Sequence, residues 1–365
     1  MNHPEDFKRL GLNPDVVELW EDGRRRDPGP GLMENWYFDS IMEDGTKAVV
    51  VFLTSSSEKR HLAEDYPNLR IQITDPSGQH HESFIEVPAA DCEIRKGECH
   101  VQMGPHSFIG DLVDYRIKVE PVSGIGCDLH LQVLVKPFRP GTGYVAFGDD
   151  EAKEYTWICF PRGRVTGSLT YAGKTHDVTG MGYHDHQFHN VDSMTTIHHW
   201  LWGRQSLDDY TVVIFDIVAN EKYGFKRVPI FGLIDNTSGE AVFQNTDHAV
   251  CSIKEMYLEP ETQKPHPKLL TYTYEHSGKK IDYTIRWKQE IEVRSSKNIF
   301  DVVDEETKKR FDQMNLDPSY IRYVAEAELV ITEHDEIKRA RGDMIYEFAY
   351  FGKPDKRAHI ELDEG

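Results

Sequence analysis

The sequence predicts an all-β protein: two β-barrels packed side by side, with few short helices. Three observations carry this reading. Apolar and polar residues alternate with a period of two along most of the chain. Turn signals of Gly, Pro and Asp recur about every ten residues between those runs. No strand–helix–strand rhythm is present, and neither GxGxxG nor GxxxxGK followed by Ser or Thr occurs, so a nucleotide fold is set aside.

Residues 4–26 read as short helical pieces and a charged turn, closed by Asp27-Pro28-Gly29-Pro30-Gly31. Such a Pro/Gly cluster cannot continue a helix and marks the entry to the folded body. Trp36 to Leu53 carries two strand patterns around Asp44-Gly45, a hairpin signal. Leu69, Ile71 and Ile73 alternate with polar residues, and Leu129, Leu131, Val133 and Val135 do so again, so each strand buries one side. After a break at Pro140-Gly141-Thr142-Gly143, strands resume near Trp157 and over 163–171. The stretch 210–218 is a strongly apolar strand. Tyr283, Ile285, Trp287, Ile291 and Val293 mark another, and Tyr323 to Ile331 a late one. Only Asp301–Asn315, rich in charge, reads as a surface helix.

The 365 residues suit two domains at very roughly 150 each. We divide the chain into an N-terminal helical, charged extension (1–31), a first barrel (32–185), a second barrel (186–352) and an acidic tail (353–365). A net charge of −20 argues against binding to nucleic acid or anionic lipid, both of which need basic clusters. The run Arg24-Arg25-Arg26 is short and lies beside acids, as on a solvated surface. Five scattered cysteines without a CxxC suggest free thiols in a reducing compartment. No apolar run approaches a membrane span, and the first residues lack a secretory core, so a cytoplasmic protein is expected.

The segment Gly180–Trp202 concentrates the chemistry. It holds His184, His186, His189, His198 and His199, together with Asp185, Tyr183, Trp200 and Trp202. On a strand, His184 and His186 share a face and two imidazoles there could reach one zinc, but HExxH and zinc-finger spacings are absent. No metal or cofactor is therefore assigned. The same alternation puts Tyr183, Asp185 and Gln187 on the opposite face. If that face points into a barrel, burial raises the carboxyl pKa and makes Asp185 a proton donor near neutral pH. The bland alternative is a turn or strand-end aspartate bonded to backbone N–H groups. There is no GxSxG elbow, and Cys159 in an apolar strand reads as a buried, inert thiol. Trp36, Trp157, Trp200, Trp202 and Trp287 are either cavity lining or plain core.

Three blocks resemble a known superfamily. Glu34-Asn35-Trp36-Tyr37 is similar to its E-W-W-Y opening strand, and Phe160 to Gly167 to its P-x-G-x-V-x-G strand. Gly180-Met181-Gly182-Tyr183-His184-Asp185-His186-Gln187 resembles G-x-G-Y-x-D-H-N/Q, followed by paired tryptophans. With the late segment Gly342–Glu347, the resemblance spans about 34–350. The superfamily is the lipocalin-like one that contains carotenoid 1,2-hydratase, AttH-like proteins, kievitone hydratase and Diels–Alderases. The resemblance implies two lipocalin-like barrels with an apolar cavity near their junction. It also implies that Tyr183 and Asp185 match the hydratases' catalytic Tyr-x-Asp pair and that Trp157 matches the tryptophan of their His-x-Trp pair. The chain departs from that pattern at Tyr155, which stands where the family has histidine, and at Gln187-Phe188-His189, where it has N-W-G.

The leading expectation is a cofactor-independent hydratase or lyase acting on a C=C bond of a hydrophobic terpenoid or polyketide-like substrate. Asp185 is the acid, Tyr183 orients it, Trp157 and Trp202 shelter the cation, and His186 or Gln187 holds water. Tyr155, Trp36, Gln187, Trp200, Trp202 and His199 are expected to line the substrate. An isomerase or pericyclase on the same cavity, and a carrier of an apolar ligand, are the other readings. Whether the chain forms a homodimer is left open.

Overall fold

A computed structural model describes residues 3–56, 59–148, 154–245, 249–276, 278–290, 297–301, 303–334 and 336–358. It divides into two compact units, Met1–Asp192 with Ser238–Glu240 and Ser193–Thr237 with Ala241–Gly365. The division falls after Asp192, so residues 186–189 stay on the same strand as Asp185 rather than opening the second barrel. Ile291, Val293 and residues 359–365 of the acidic tail lie outside the described residues.

The first unit is one antiparallel sheet. Its strands are β1 Met33–Met42, β2 Lys47–Leu53, β3 Asn68–Thr74, β4 His80–Glu86, β5 Cys92–Ile94, β6 Cys99–Met103, β7 His106–Gly110, β8 Asp114–Val122, β9 Ile125–Val133, β10 Tyr144–Ala146, β11 Glu154–Tyr171 and β12 Lys174–His189. Their order is β4-β3-β2-β1-β12-β11-β9-β8-β7-β6-β5, with β10 on the side of β11. Neighbours in sequence are neighbours in space, except that the last strand returns to pair with the first. That pairing curls the sheet into a barrel whose open seam lies between β4 and β5. The expected hairpin forms from β1 and β2, with Gly45 at a positive φ of 91° in its turn. The two strands expected near Trp157 and over 163–171 are one long strand, bulged between Phe160 and Gly163. The inner face carries a continuous apolar core that includes Trp36, Phe38, Phe52, Phe108, Ile158 and Phe160.

The second unit repeats this plan. Its strands are β13 Ile197–Ser206, β14 Tyr210–Ala219, β15 Arg227–Asp235, β16 Ala241–Asn245, β17 Ala249–Leu258, β18 Pro265–His276, β19 Lys279–Glu290, β20 Ser319–Glu333 and β21 Glu336–Tyr350. The order β16-β15-β14-β13-β21-β20-β19-β18-β17 again pairs first strand with last and leaves the seam between consecutive strands. Its own core includes Leu201, Ile214, Phe231, Tyr283, Tyr323 and Phe348. Helices are short: α1 Pro4–Leu10, α2 Ser193–Thr196 and α3 Glu305–Gln313. The last lies within the expected 301–315 and is capped by Asp304, which accepts from the Thr307 N–H at 2.8 Å. No helix among the described residues is long and apolar enough to cross a membrane.

The N-terminal segment is not a separate extension. Its turn Leu19–Asp22 drives Glu21 and Asp22 into the first unit, where both are fully buried. The arginine run is only partly solvated: Arg24 pairs with Asp65 at 2.7 Å, and the Arg25 guanidinium lies 4.7 Å over the Trp20 ring.

Candidate active site on the two faces of strand β12

Strand β12 closes the first barrel, with β1 on one side and β11 on the other. Two glycines let the neighbours close in. A Cβ on Gly180 would meet the Ile41 carbonyl oxygen at 2.3 Å, and one on Gly182 the Val165 side chain at 2.6 Å. The G-x-G of the central motif is thus a packing requirement of this junction. Across the three strands Tyr37, Asp185 and Cys159 are in register, as are Asn35, Gln187 and Trp157, and Trp36, His186 and Ile158.

The register decides which face is inside. Trp36, Phe38, Ile158 and Phe160 belong to the barrel core, so His184 and His186 point inward. Tyr183, Asp185 and Gln187 point away from that core. The carboxylate of Asp185 therefore does not point into the first barrel, the orientation on which the expected pKa rise depends.

Asp185 is nevertheless 1% exposed. Tyr183 Oη donates to its Oδ2 at 2.7 Å and Trp157 Nε1 donates to the same oxygen at 3.2 Å. Gln187 Nε2 donates to Oδ1 at 3.0 Å, and Tyr155 Oη donates to Gln187 Oε1 at 2.5 Å, which fixes the amide's orientation. All three direct donors are uncharged. Burial pushes the carboxyl pKa up, and those hydrogen bonds oppose the rise without cancelling it, so it stands at about 6. Cys159 shares this face; burial beside Asp185 pushes its thiol far up, and it is no nucleophile. Phe138 packs edge-on to Trp157 at 5.9 Å. On this face Gln187 and Tyr37 are half-buried.

The inward face is built differently. His184 Nδ1 donates to the Tyr37 carbonyl at 2.8 Å, and its Nε2 stands 3.2 Å from Asp22 Oδ2. His186 Nδ1 donates to the Glu21 carbonyl at 3.1 Å, and its Nε2 stands 3.2 Å from Glu34 Oε2. Tyr115 donates to Asp22 at 2.7 Å, and Arg139 Nη1 grips Glu21 at 2.5 and 2.6 Å. Trp36 stacks on His186 at 4.6 Å, fully buried, with its N–H on the Asp22 carbonyl. His186 lies on the opposite face of the strand from Asp185, and Trp36 belongs to the core of the first barrel. His184, His186 and His189 do not converge: His189 donates to the Val191 carbonyl at 3.0 Å, and burial pushes its pKa down to about 3. Asp22, Cys99 and His184 do bring ligand atoms within 4.8 Å of one another. The Asp22 carboxylate there already serves Tyr115 and His184.

The remaining expected residues lie on β13 of the second unit. Trp200 donates to Glu347 at 3.3 Å and packs edge-on to Phe351. Trp202 is buried. His199 faces His198, Nδ1 to Nδ1 at 2.8 Å, and stacks on Tyr350. Sequence reasoning missed Glu21, Asp22, Arg139 and Phe138. Nothing local distinguishes those acids from the many others in an acidic chain.

No family model matches this sequence. The ceramide-binding protein svf1 of Schizosaccharomyces pombe is 25% identical over 167 residues, 44% of this chain and 43% of that protein. The match therefore spans less than half the length of the curated relative. Solved structures cover far more. An AttH-like protein from Nitrosomonas europaea aligns over 92% of this chain and 98% of its own, with TM-score 0.60 and 15% identity. Kievitone hydratase from Nectria haematococca aligns over 92% and 93%, with TM-score 0.57 and 14% identity. CghA, solved with Sch210972, aligns over 94% and 98%, with TM-score 0.62 and 12% identity. These likenesses establish the lipocalin-like fold.

Proposed function

We propose that this chain is a cofactor-independent enzyme of hydratase or pericyclase type acting on a hydrophobic, terpenoid or polyketide-like substrate, with Asp185 as the group that protonates or polarises it. The observation that carries this is the environment of Asp185: a buried carboxyl held by three neutral donors, with its pKa raised to about 6. A carboxylate kept only for structure is normally given a cation, as Glu21 is given Arg139. Oδ2 accepts two hydrogen bonds and Oδ1 one, so the acid proton sits on Oδ1, beside half-buried Gln187.

In the hydratase reading the alkene π pair takes the Oδ1 proton to form the new C–H bond. The cation that results is stabilised by the adjacent carboxylate and by the Trp157 ring. Water then adds its oxygen to the cationic carbon, and its surplus proton returns to Asp185. Gln187 and Tyr155 are placed to orient that water. In the pericyclase reading Asp185 only polarises a folded polyene. Acid catalysis by one positioned group contributes about 10²–10⁴ in rate, so shape and exclusion of bulk water supply the rest.

The test starts with mass spectrometry of the small molecules that co-purify with the protein, followed by turnover of those compounds. Asp185→Asn is expected to fold normally and lose roughly 10²–10⁴ in turnover; a folded variant with full turnover sinks the proposal. Reaction in deuterated water separates the two chemistries, since hydration places deuterium on the protonated carbon and a cyclisation does not. A second reading, a carrier of an apolar ligand, draws on the name of the ceramide-binding relative. It requires that the bound compound be recovered unchanged after long incubation.

A further inference from the structure

The second unit holds a polar pocket that the proposed chemistry does not use. Asp216 on β14 is 1% exposed inside the barrel. Its Oδ2 accepts from Tyr272 Oη at 2.6 Å and from Arg227 Nη2. Its Oδ1 has no partner among the described residues, and neither do the buried Nε and Nη1 of Arg227. One acceptor and two donors thus stand unsatisfied together, a costly arrangement for an interior. They line a small cavity together with the buried His199, and the rest of its wall is apolar, formed by Leu201, Ile253, Met256, Pro267, Leu270 and Phe348.

We infer that this cavity binds the head of a neutral, polar-headed apolar ligand: an alcohol or primary amide on an alkyl chain. The Arg227–Asp216 pair is already neutral as a unit, so a charged head would bring an uncompensated charge into the barrel. A hydroxyl or amide brings one donor for Asp216 Oδ1 and one acceptor for Arg227, and no charge. The enclosed room is about that of one water, so only the polar end of the head enters. Met256 is the half-buried member of the wall, and the chain leaves past it. A flexible thioether suits that position, since it repacks around an alkyl chain of variable length.

The test is calorimetric titration of the full chain with decan-1-ol, decanamide and decanoate. Decan-1-ol and decanamide are expected to saturate one site per chain, with decanoate roughly tenfold weaker or worse. Met256→Trp fills the exit while leaving the ion pair intact, and it is expected to abolish binding. The double variant Asp216→Asn with Arg227→Gln is expected to weaken the alcohol and the amide by roughly tenfold. If that variant does not fold, Met256→Trp carries the test. Asp185→Asn is expected to bind the probes like the unaltered chain, which separates this site from the first unit's. The inference is overturned if neither probe binds saturably, if decanoate binds as tightly, if Met256→Trp binds normally, or if Asp185→Asn loses binding.

Discussion

The two faces of β12 bury carboxyl groups to the same depth and treat them in opposite ways. Inward, Glu21 meets Arg139, and Asp22 and Glu34 meet His184 and His186. Both ring nitrogens of each histidine face an oxygen atom. Outward, Asp185 meets a phenol, an indole and an amide. The first set is a hydrogen-bonded network, anchored by the Arg139–Glu21 ion pair, that ties the N-terminal segment to the barrel. The second is a carboxyl whose hydrogen-bond donors are all uncharged, which lets burial raise its pKa toward neutrality. Burial alone therefore does not mark a catalytic acid; the kind of partner does.

Beyond the loss expected for Asp185→Asn, the sharpest break in the contrast is Arg139→Met. It leaves Glu21 buried without its cation and is expected to cost about 3–5 kcal/mol in urea unfolding. Asp185 responds to pH instead. Its pKa rises from 3.8 in the unfolded chain to about 6 in the folded one. Between those values the folded state holds a proton that the unfolded state has released. Its contribution to stability is therefore fully present below about 3.8 and falls as pH rises to about 6, by roughly 3 kcal/mol. Unfolding of the unaltered chain and of Asp185→Asn, measured across that window, is expected to differ by this slope. Turnover that needs the protonated acid declines above pH about 6.

A finer test is Tyr183→Phe. The tyrosine's hydrogen bond favours the carboxylate, so its removal lets burial raise the pKa further. The descending limb of the pH–rate profile is expected to move up by about one pH unit. An unmoved limb would assign the limb to another group. The smallest effect belongs to His186→Gln, in which the amide still donates to Glu34 but the stacking on Trp36 is weaker. A stability loss of about 1 kcal/mol with turnover retained is expected; loss of turnover with intact folding would bring His186 back into the chemistry.

Much of the strand pattern was legible because alternation is a local property. The hairpin at Asp44-Gly45 and the common face of Tyr183, Asp185 and Gln187 follow from two-residue spacing alone. The break wrongly expected between Trp157 and residue 163 arose because Pro161 and Gly163 look like punctuation. In the fold they form a bulge inside one strand. The segment 1–31 looked like an extension because charge density suggests solvent, whereas Glu21 and Asp22 are buried through partners more than a hundred residues away.

What the sequence by itself determined is therefore the all-β class, the strands and the sharing of faces, since a pleated chain sends alternate side chains to opposite sides whatever it packs against. Only the tertiary structure decided which face of β12 is inside. That sign is set when β12 returns to pair with β1 and the apolar side chains of both curl around one core. The same closure chose the partners, giving an arginine to Glu21, imidazoles to Asp22 and Glu34, and a phenol, an indole and an amide to Asp185. The electrostatic character of a buried carboxyl depends on what the fold brings within about 3 Å of it, and two-residue periodicity carries no information about that.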